Sequence, residues 1–407
     1  MLQLSSKQRL LCLFASIFLG GSQISVVAAP SSQNQEYHTP GNCQNSATNF
    51  LVMAGGGSPR NNEIALEKNV LYFQRTLQTL GYNPATANLF FANGNDGQAT
   101  IRYIDDSREQ KFKVPNIPNL QGAATLDNFK RWIATTASRQ PQNPVFFYFT
   151  GHGIPDALIL WKNQQLTVQQ LAQQLDQLPQ NTPVVTMMAQ CFSGSFADFI
   201  YEGGDDTQPI ALQTRCGFFA TVSTRPSVGC TPEVNEADYK DYSSSFFAGL
   251  SGVSRTGEVV ASADYNGDRQ ISYAEAHAFA KVDEATMDRP VSTVEVWLQK
   301  QARKSDVVSF LEQPLTQLIS QSRPEQQYVV SNLAQKFDFN LQQSYRTNVD
   351  RLRPNQVSSD VQQAYLVRLA MELINIGMEE KIRSQKDKKK IAILERLIKC
   401  EASYWQQ

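Results

Sequence analysis

The sequence predicts an α/β protein with a mostly parallel sheet and a helical C-terminal region. Two runs without polar alternation, Val145 to Phe149 and Val184 to Met188, are typical of parallel strands that are buried on both faces. A helical pattern lies between these runs, as the crossover between parallel strands requires. From about Asp306 to the end, strand patterns cease and helical periodicity dominates. We therefore expect a helical region after the α/β domain.

The first 28 residues are typical of a signal peptide. Lys7 and Arg9 precede an apolar run from Leu10 to Leu19, and small residues follow up to Ala28. This run is too short to span a membrane, so we expect cleavage after Ala28 and export to a secreted, periplasmic or equivalent oxidising compartment. A retained signal anchor is the alternative. The predicted segments are the signal peptide (1–28), a flexible leader (29–45), the α/β domain (46–300) and the helical region (301–407).

Composition excludes one class of partner. The chain of 407 residues carries 37 Lys and Arg against 38 Asp and Glu, a formal net charge of −1. A nucleic-acid-binding domain is normally basic. We therefore expect no nucleic-acid partner, and we expect no stable membrane span after signal cleavage. The sequence does not indicate an oligomeric state.

The first α/β unit begins with a buried strand from Phe50 to Ala54. Gly55-Gly56-Gly57 ends this strand, and a helix starting near Asn61 or Asn62 carries an apolar stripe until Gly81. The glycine turn lacks both the Gly-Lys-Ser/Thr ending and the G-x-G-x-x-G spacing of phosphate-binding loops. It therefore predicts no nucleotide site.

The remaining elements of the α/β domain follow from short patterns. A capping box is predicted at Thr167 and Gln170, where it would open a helix. In chain order we expect strands at 88–92 and 99–104, a Pro/Asn-rich loop at 111–121, a helix through Leu126 and Ile133, a strand at 157–161, the helix after Thr167, a strand at 217–223, and a helix from Ser245.

Five cysteines remain after signal cleavage: Cys43, Cys191, Cys216, Cys230 and Cys400. An oxidising compartment favours disulfides, and an odd count leaves one thiol free. Cys191 is the candidate for the free thiol because it ends a strand in a Gly/Ser turn. A Cys216–Cys230 bond would close a short loop, and a Cys43–Cys400 bond would tie the chain ends. Buried unpaired thiols are the alternative.

One histidine and one cysteine follow the two buried runs. His152 lies between Gly151 and Gly153 after the first run, and Cys191 follows the second. Functional groups of an open α/β sheet gather at the carboxyl ends of its strands. A thiol nucleophile with an imidazole base needs this juxtaposition. The alternative is a core His and a core Cys without catalytic roles.

Backbone groups complete this candidate site. The N–H groups of Gly153 and Cys191 are candidates for an oxyanion hole. The small residues Ser193, Gly194 and Ser195 allow the chain to enter a helix whose N-terminus would favour a thiolate. The other histidines are poor candidates for the base, because one lies in the leader and one in a distant helix (His38 and His277).

The motifs YFTGHG and MMAQCFSGSF resemble those of the legumain-type cysteine peptidases, within the caspase-like (caspase/legumain/gingipain) group. The resemblance spans roughly residues 46 to 300. It implies a caspase-like three-layer α/β/α fold and an endopeptidase that cleaves protein or peptide substrates through a thioester. By motif position, His152 is the base, Cys191 the nucleophile and Gly153 the oxyanion donor. No cofactor is implied for catalysis.

The resemblance leaves two questions about activity open. A transpeptidase or ligase would use the same site, and a non-catalytic binding module would keep the fold. In the family a helical C-terminal segment covers the site until it is processed. Here permanent docking of residues 301–407 is an equal alternative.

The chain departs from the family where specificity is decided. The position two before the nucleophile carries Glu or Gln in these families and lines the primary pocket, but here it is Ala189, followed by Gln190. The loop from Ser223 to Asp238 is the predicted pocket wall. In it Glu233 would suit a basic substrate side chain and Arg225 an acidic one, and the sequence does not decide between them.

A second motif resembles an EF-hand calcium loop. Oxygen-bearing side chains occupy loop positions one, three, five, nine and twelve, with Ile at position eight. Position six, normally Gly, is Arg269. The alternative is an acidic turn that caps the helix beginning after Ser272. The predicted calcium ligands are Asp264, Asn266, Asp268, Gln270 and Glu275.

Overall fold

The computed structural model of the chain describes residues 48–139 and 143–405. The predicted signal peptide and leader, with His38 and Cys43, lie outside the described residues.

The described residues form twelve strands, twelve α-helices and seven short 3-10 helices. The strands are β1 (Asn49–Gly55), β2 (Asn88–Phe91), β3 (Ile101–Ile104), β4 (Gln110–Lys113), β5 (Leu120–Gly122), β6 (Val145–Gly151), β7 (Gly153–Ile154), β8 (Ala157–Leu160), β9 (Gln164–Thr167), β10 (Val184–Met188), β11 (Arg215–Phe219) and β12 (Val291–Ser292). The α-helices are α1 (Ile64–Thr79), α2 (Leu126–Ala137), α3 (Val168–Leu175), α4 (Tyr242–Ser251), α5 (Tyr273–Asp283), α6 (Thr293–Gln301), α7 (Lys304–Leu311), α8 (Leu315–Ile319), α9 (Pro324–Gln335), α10 (Tyr345–Val349), α11 (Asp360–Ser384) and α12 (Lys388–Glu401). The 3-10 helices are Pro59–Asn61, Pro84–Thr86, Trp161–Asn163, Ser193–Ile200, Glu202–Gly204, Glu236–Asp238 and Pro354–Val357.

Seven strands form the central sheet, in the order β12-β11-β10-β6-β1-β2-β5. All neighbours pair in parallel except β12, which runs antiparallel to β11. Strands β6 and β10 are fully buried, as their lack of polar alternation predicts. The α/β fold class with a mostly parallel sheet is therefore confirmed.

Helices cover both faces of this sheet. Along β1, Leu51 and Met53 join one apolar cluster, while Phe50 and Val52 join the cluster on the opposite face. Such alternation follows from the two-residue period of a strand. The first cluster contains apolar residues of α2, α3, α6 and α12, and the second contains those of α1, α4 and α5. The three-layer arrangement is thus present.

The predicted loop at 111–121 is only partly a loop. Strand β4 begins at Gln110 and pairs with β3 as an exposed hairpin, and β5 adds a parallel edge strand beside β2. Neither strand has the buried apolar run that marks the inner strands, because one lies outside the central sheet and the other at its edge. The capping box at Thr167 and Gln170 is confirmed.

The C-terminal region after β12 is helical, as predicted, and its last residues enter the core of the sheet domain. The ring of Trp405 packs at 5.0 Å from that of Phe50 and 5.3 Å from that of Phe146. Its carbonyl accepts a hydrogen bond of 2.7 Å from the Tyr82 hydroxyl. These contacts favour permanent docking over a removable cover.

The predicted disulfides are wrong. The structure pairs Cys216 with Cys400, and leaves Cys191 and Cys230 as free thiols. Cys216 lies near the amino end of β11, whereas Cys230 contacts the Gly151 carbonyl at the carboxyl end of β6. The sheet therefore separates Cys216 from Cys230, and α12 brings Cys400 to β11. The Cys216–Cys400 bond is compatible with an exported protein.

Removal of this disulfide is expected to destabilise the protein. The bond closes a loop across a sequence separation of 184 residues, and the double variant Cys216→Ala/Cys400→Ala is expected to lose about 2–5 kcal/mol of unfolding free energy. Urea unfolding measures this loss, and reduction of the wild-type protein should give the same midpoint as the double variant. Cys230→Ala, which removes a free thiol, is the control. Equal midpoints for the control and the double variant would contradict the pairing.

No α-helix in the described part of the chain has the length and apolar character that crossing a membrane requires.

Candidate active site

The register of the two central strands brings His152 and Cys191 to the same edge of the sheet. Phe149 of β6 pairs with Met188 of β10. His152 and Cys191 each follow these paired residues by three positions, so they leave the sheet side by side. His152 retains 29% of its side-chain exposure, and Cys191 is half-buried.

His152 contacts a residue that the sequence analysis did not single out, Glu63. Its Nε2 lies 2.9 Å from Oε2 of Glu63, which is almost fully buried at the start of α1. The other carboxylate oxygen of Glu63 accepts a hydrogen bond of 2.6 Å from Arg102 on β3. A buried carboxylate that is fixed by a guanidinium can orient the imidazole.

The glycine turn after β1 brings Glu63 to this edge. A Cβ on Gly56 would lie 1.6 Å from the Asn61 carbonyl oxygen, so the close return of the chain requires glycine. The Asn62 side chain accepts a hydrogen bond of 3.0 Å from the Gly56 amide and fixes the turn. Helix α1 therefore begins next to the end of β1, where Glu63 faces His152.

Cys230 is the third member of this group. Ligand atoms of Glu63, His152 and Cys230 all lie within 4.8 Å of one another. Burial alone would lower the pKa of His152, but hydrogen bonds to Cys230 and to Glu63, together with their charges, raise it to about 11. The imidazolium form is therefore favoured at neutral pH. Burial opposes ionisation of Glu63, yet His152 and Arg102 hold the pKa of this carboxyl below its usual value.

Cys191 receives its hydrogen bond from the loop after β11. The Ser227 amide donates to Sγ of Cys191 at 3.3 Å. The pKa of the Cys191 thiol is raised overall, chiefly by burial, although the Ser227 amide and the charge of His152 act to lower it. The Ser227 hydroxyl in turn donates to the Asp288 carboxylate at 2.5 Å. Asp288 thus holds the loop that contacts the thiol.

The chain turns sharply after Cys191. Phe192 adopts φ +59°, in the left-handed region, and its amide donates to the Arg225 carbonyl at 2.8 Å. The expected helix is the 3-10 helix Ser193–Ile200, whose Gly194 amide donates to the Thr221 carbonyl. A helix therefore follows Cys191 as predicted, although it is a 3-10 helix, and the observed donor to the Cys191 thiol is the Ser227 amide.

Gly153 packs against the turn that carries Cys191. A Cβ on Gly153 would lie 2.4 Å from the Cys191 carbonyl oxygen and 2.5 Å from Cγ of Gln190. Only glycine allows the two strand ends to approach this closely. This approach brings Gly153 and Cys191, whose amides are the candidate oxyanion donors, into contact with each other.

The predicted pocket residues lie in different surroundings. Ala189 is half-buried against the cluster that contains Phe50, and Gln190 is only 1% exposed beneath Gly153. Ser223 is exposed in the loop after β11. Gln190 is therefore packed inside the protein and does not line an open pocket.

The two charged pocket candidates differ in their partners. Glu233 pairs with Arg108 of the exposed β3–β4 hairpin, with N···O 3.4 Å. Arg225 has a buried Nε without a hydrogen-bond partner in residues 48–139 and 143–405, and the same holds for Arg289. Burial and the charge of Arg225 both lower the pKa of Arg289, so the two guanidinium groups are close. Their positions indicate a region that would accept an anion.

The predicted calcium loop is held by its own backbone. The Asp264 carboxylate accepts hydrogen bonds from the amides of Gly267 (2.8 Å) and Arg269 (3.0 Å). Arg269 adopts φ +67° at the position that favours Gly. Glu275 forms the capping box of α5 with Ser272, as the alternative interpretation requires. Calcium binding by this loop stays a prediction.

The loop's surroundings separate it from the thiol site. The ring of Tyr265 stacks at 4.0 Å on that of Tyr328 in α9, on the C-terminal side of the protein. Asn266, Asp268 and Gln270 are exposed, and their hydrogen bonds remain within the loop.

His277 has a structural environment, as its sequence position suggested. It is buried in α5, with its Nδ1 2.6 Å from the Tyr242 hydroxyl and its Nε2 3.3 Å from Glu295. Burial lowers its pKa. It does not contact the group around His152.

Comparison with known proteins supports a cysteine-peptidase type of function. Residues 122–205 match the model of the Peptidase C13 family, and this stretch contains both His152 and Cys191. The resemblance to legumain-type peptidases is thereby confirmed for this stretch. Caspase-1 from Spodoptera frugiperda is a similar solved structure, with a TM-score of 0.32 and 12% identity over 61% of this chain and 86% of that chain. No curated protein sequence matches the chain.

Proposed function

We propose that this chain is a cysteine endopeptidase in which Cys191 is the nucleophile and His152 its proton-transfer partner. The main support for this proposal is the register of β6 and β10. Phe149 pairs directly with Met188, and His152 and Cys191 each follow one of these two residues by three positions. The family match over residues 122–205 implies protein substrates.

The proposed reaction needs only these residues and one water molecule. The Cys191 thiolate bonds to the carbonyl carbon, and the N–H groups of Gly153 and Cys191 stabilise the oxyanion. The C–N bond breaks as the leaving amine takes a proton from the His152 imidazolium. A water molecule then gives a proton to neutral His152 and attacks the thioester, and cleavage of the C–S bond restores the thiolate and imidazolium.

Glu63 is the proposed positioning residue of this pair. Its carboxylate favours the imidazolium form of His152, the form that donates a proton to the leaving amine. The imidazolium charge also lowers the pKa of the Cys191 thiol, against the effect of burial. The carboxylate therefore assists both partners without contacting substrate.

The substrate side chain before the scissile bond is proposed to be acidic. Arg225 lies beside the turn that follows Cys191, through the hydrogen bond between its carbonyl and the Phe192 amide. Its unpartnered Nε and the neighbouring Arg289 provide uncompensated positive charge there. Glu233, the alternative for a basic side chain, is already paired with Arg108.

Labelling with peptidyl acyloxymethyl ketones tests the proposal. Probes with Asp, Asn or Lys next to the reactive group are incubated with the purified mature protein, and the modified residue is mapped by mass spectrometry. We expect modification of Cys191, with the Asp probe reacting faster than the Lys probe. The variant His152→Ala should lose the modification.

Two outcomes would contradict parts of this proposal. Failure of every probe to label Cys191 would favour a non-catalytic binding module, provided that the protein is folded by circular dichroism. Preference for the Lys probe would contradict the role of Arg225 and leave the nucleophile assignment intact. Arg225→Gln is the matched variant, and it should reduce only the advantage of the Asp probe.

A further inference from the structure

A cluster of metal-ligand residues includes His152 of the proposed dyad. Glu63, His152 and Cys230 are the one group of three such residues, in the part of the chain that the structure describes, whose ligand atoms all lie within 4.8 Å of one another. Carboxylate, imidazole and thiolate are each ligands of Zn²⁺. The proposed peptidase reaction assigns no role to the Cys230 thiol.

The separations of the ligand atoms are close to those around a tetrahedral ion. Zn²⁺ bond lengths of about 2.0–2.3 Å place neighbouring ligand atoms about 3.5 Å apart. Nε2 of His152 and Oε2 of Glu63 are 2.9 Å apart and would separate by about 0.6 Å to bind the ion, while the ligand atom of Cys230 lies within 4.8 Å of those of the other two residues. Three protein ligands would leave one coordination position for water, as in open zinc sites.

The backbone fixes the segments that carry these residues. The Ala65 amide of α1 donates to the Thr231 carbonyl at 3.3 Å, and the Ile104 amide of β3 donates to the Pro232 carbonyl at 2.8 Å. The two residues that follow Cys230 are therefore tied to α1, which begins directly after Glu63, and to the strand that carries Arg102. Arg102 also orients the Glu63 carboxylate from the side opposite His152.

The charges also suit a divalent cation. Glu63 and the ionised Cys230 carry one negative charge each, and neutral His152 adds none, so a dication would be neutralised by its protein ligands.

We infer that Glu63, His152 and Cys230 form an inhibitory site for Zn²⁺ that competes with the proton-transfer role of His152. The binding follows from the ligand geometry, whereas the inhibition rests on the proposed peptidase function. A bound ion would coordinate a nitrogen of the His152 imidazole and keep the ring neutral. The ring could then not protonate a leaving amine.

Cobalt titration tests the binding without reference to activity. The purified full-length mature protein, treated with chelator and kept reduced at the free thiols, is titrated anaerobically with Co²⁺. We expect a thiolate-to-cobalt charge-transfer band that saturates at one equivalent and is abolished by added Zn²⁺. The band should persist in Cys191→Ser and disappear in Cys230→Ser, and Glu63→Gln should weaken Co²⁺ binding at least about tenfold.

Each result decides one step of the inference. Absence of the band in the wild-type protein, or its survival in Cys230→Ser, would overturn the site. Loss of the band in Cys191→Ser alone would assign the metal to the other thiol and also overturn it. Where the band behaves as expected but Zn²⁺ does not reduce the rate of probe labelling at Cys191, the inhibition is overturned and the binding site stands.

Discussion

Cys191→Ser is expected to lower kcat/KM for peptide hydrolysis by on the order of 10⁴-fold or more, because the variant removes the proposed nucleophile. Cys230→Ser is expected to lower it by less than about tenfold, although the ligand atoms of Cys230 and His152 lie within 4.8 Å of each other. The difference follows from the positions of the two residues. Cys191 lies three positions beyond β10, before the left-handed Phe192 and packed against Gly153, whereas Sγ of Cys230 lies 3.8 Å from the Gly151 carbonyl oxygen.

Steady-state hydrolysis of a fluorogenic peptide by the two matched Cys→Ser variants measures this difference. Both replacements keep a side chain of similar size, and neither thiol belongs to the disulfide. A large loss in Cys230→Ser with a small loss in Cys191→Ser would exchange the roles of the two thiols. Similar large losses in both would indicate that the thiols act together.

The inner strands could be predicted from the sequence because burial on both faces leaves an uninterrupted apolar run. Strand β10 has the predicted bounds, and β6 extends two residues beyond them. The exposed hairpin strand β4 lacks such a run, since three of its four residues face solvent. The local sequence pattern therefore predicted the inner strands of the sheet but not the exposed strand outside it.

The candidate site was predictable only where residues follow adjacent strands. His152 and Cys191 could be found because strand register brings their positions together. Glu63 lies 89 positions from His152, and Asp288 lies 61 positions from Ser227. No local pattern distinguishes such residues from ordinary polar residues at helix starts and loops. Cys230 was assigned to a disulfide because the sequence shows cysteine spacing but not which edge of the sheet each cysteine occupies.

The C-terminal region contributes one residue to the support of the thiol loop. Arg368 of α11 is fully buried, and its guanidinium donates to the carbonyls of Glu284 (2.7 Å) and Asp288 (2.9 Å). It also donates to the carbonyls of Lys281 and Thr286. The same segment presents the Asp288 carboxylate to Ser227, whose amide contacts the Cys191 thiol. A continuous set of hydrogen bonds thus joins α11 to the site.

Arg368→Met is therefore expected to cost about 3–5 kcal/mol of unfolding free energy, because four carbonyls lose a donor and buried Glu284 loses its nearby cation. The folded fraction should also show slower alkylation of Cys191, since the loop that carries Ser227 loses its support. Urea unfolding and alkylation rates in the absence of urea measure the two effects separately.

Arg346→Met provides the control for this replacement, because Arg346 lies on the same C-terminal region and its guanidinium forms an exposed ion pair with Glu312. Its cost is expected to stay within about 1 kcal/mol. Equal unfolding midpoints for the two variants would contradict a supporting role for Arg368. A destabilised Arg368→Met protein with wild-type alkylation of Cys191 would confine that role to stability and separate the C-terminal helices from the chemistry of the site.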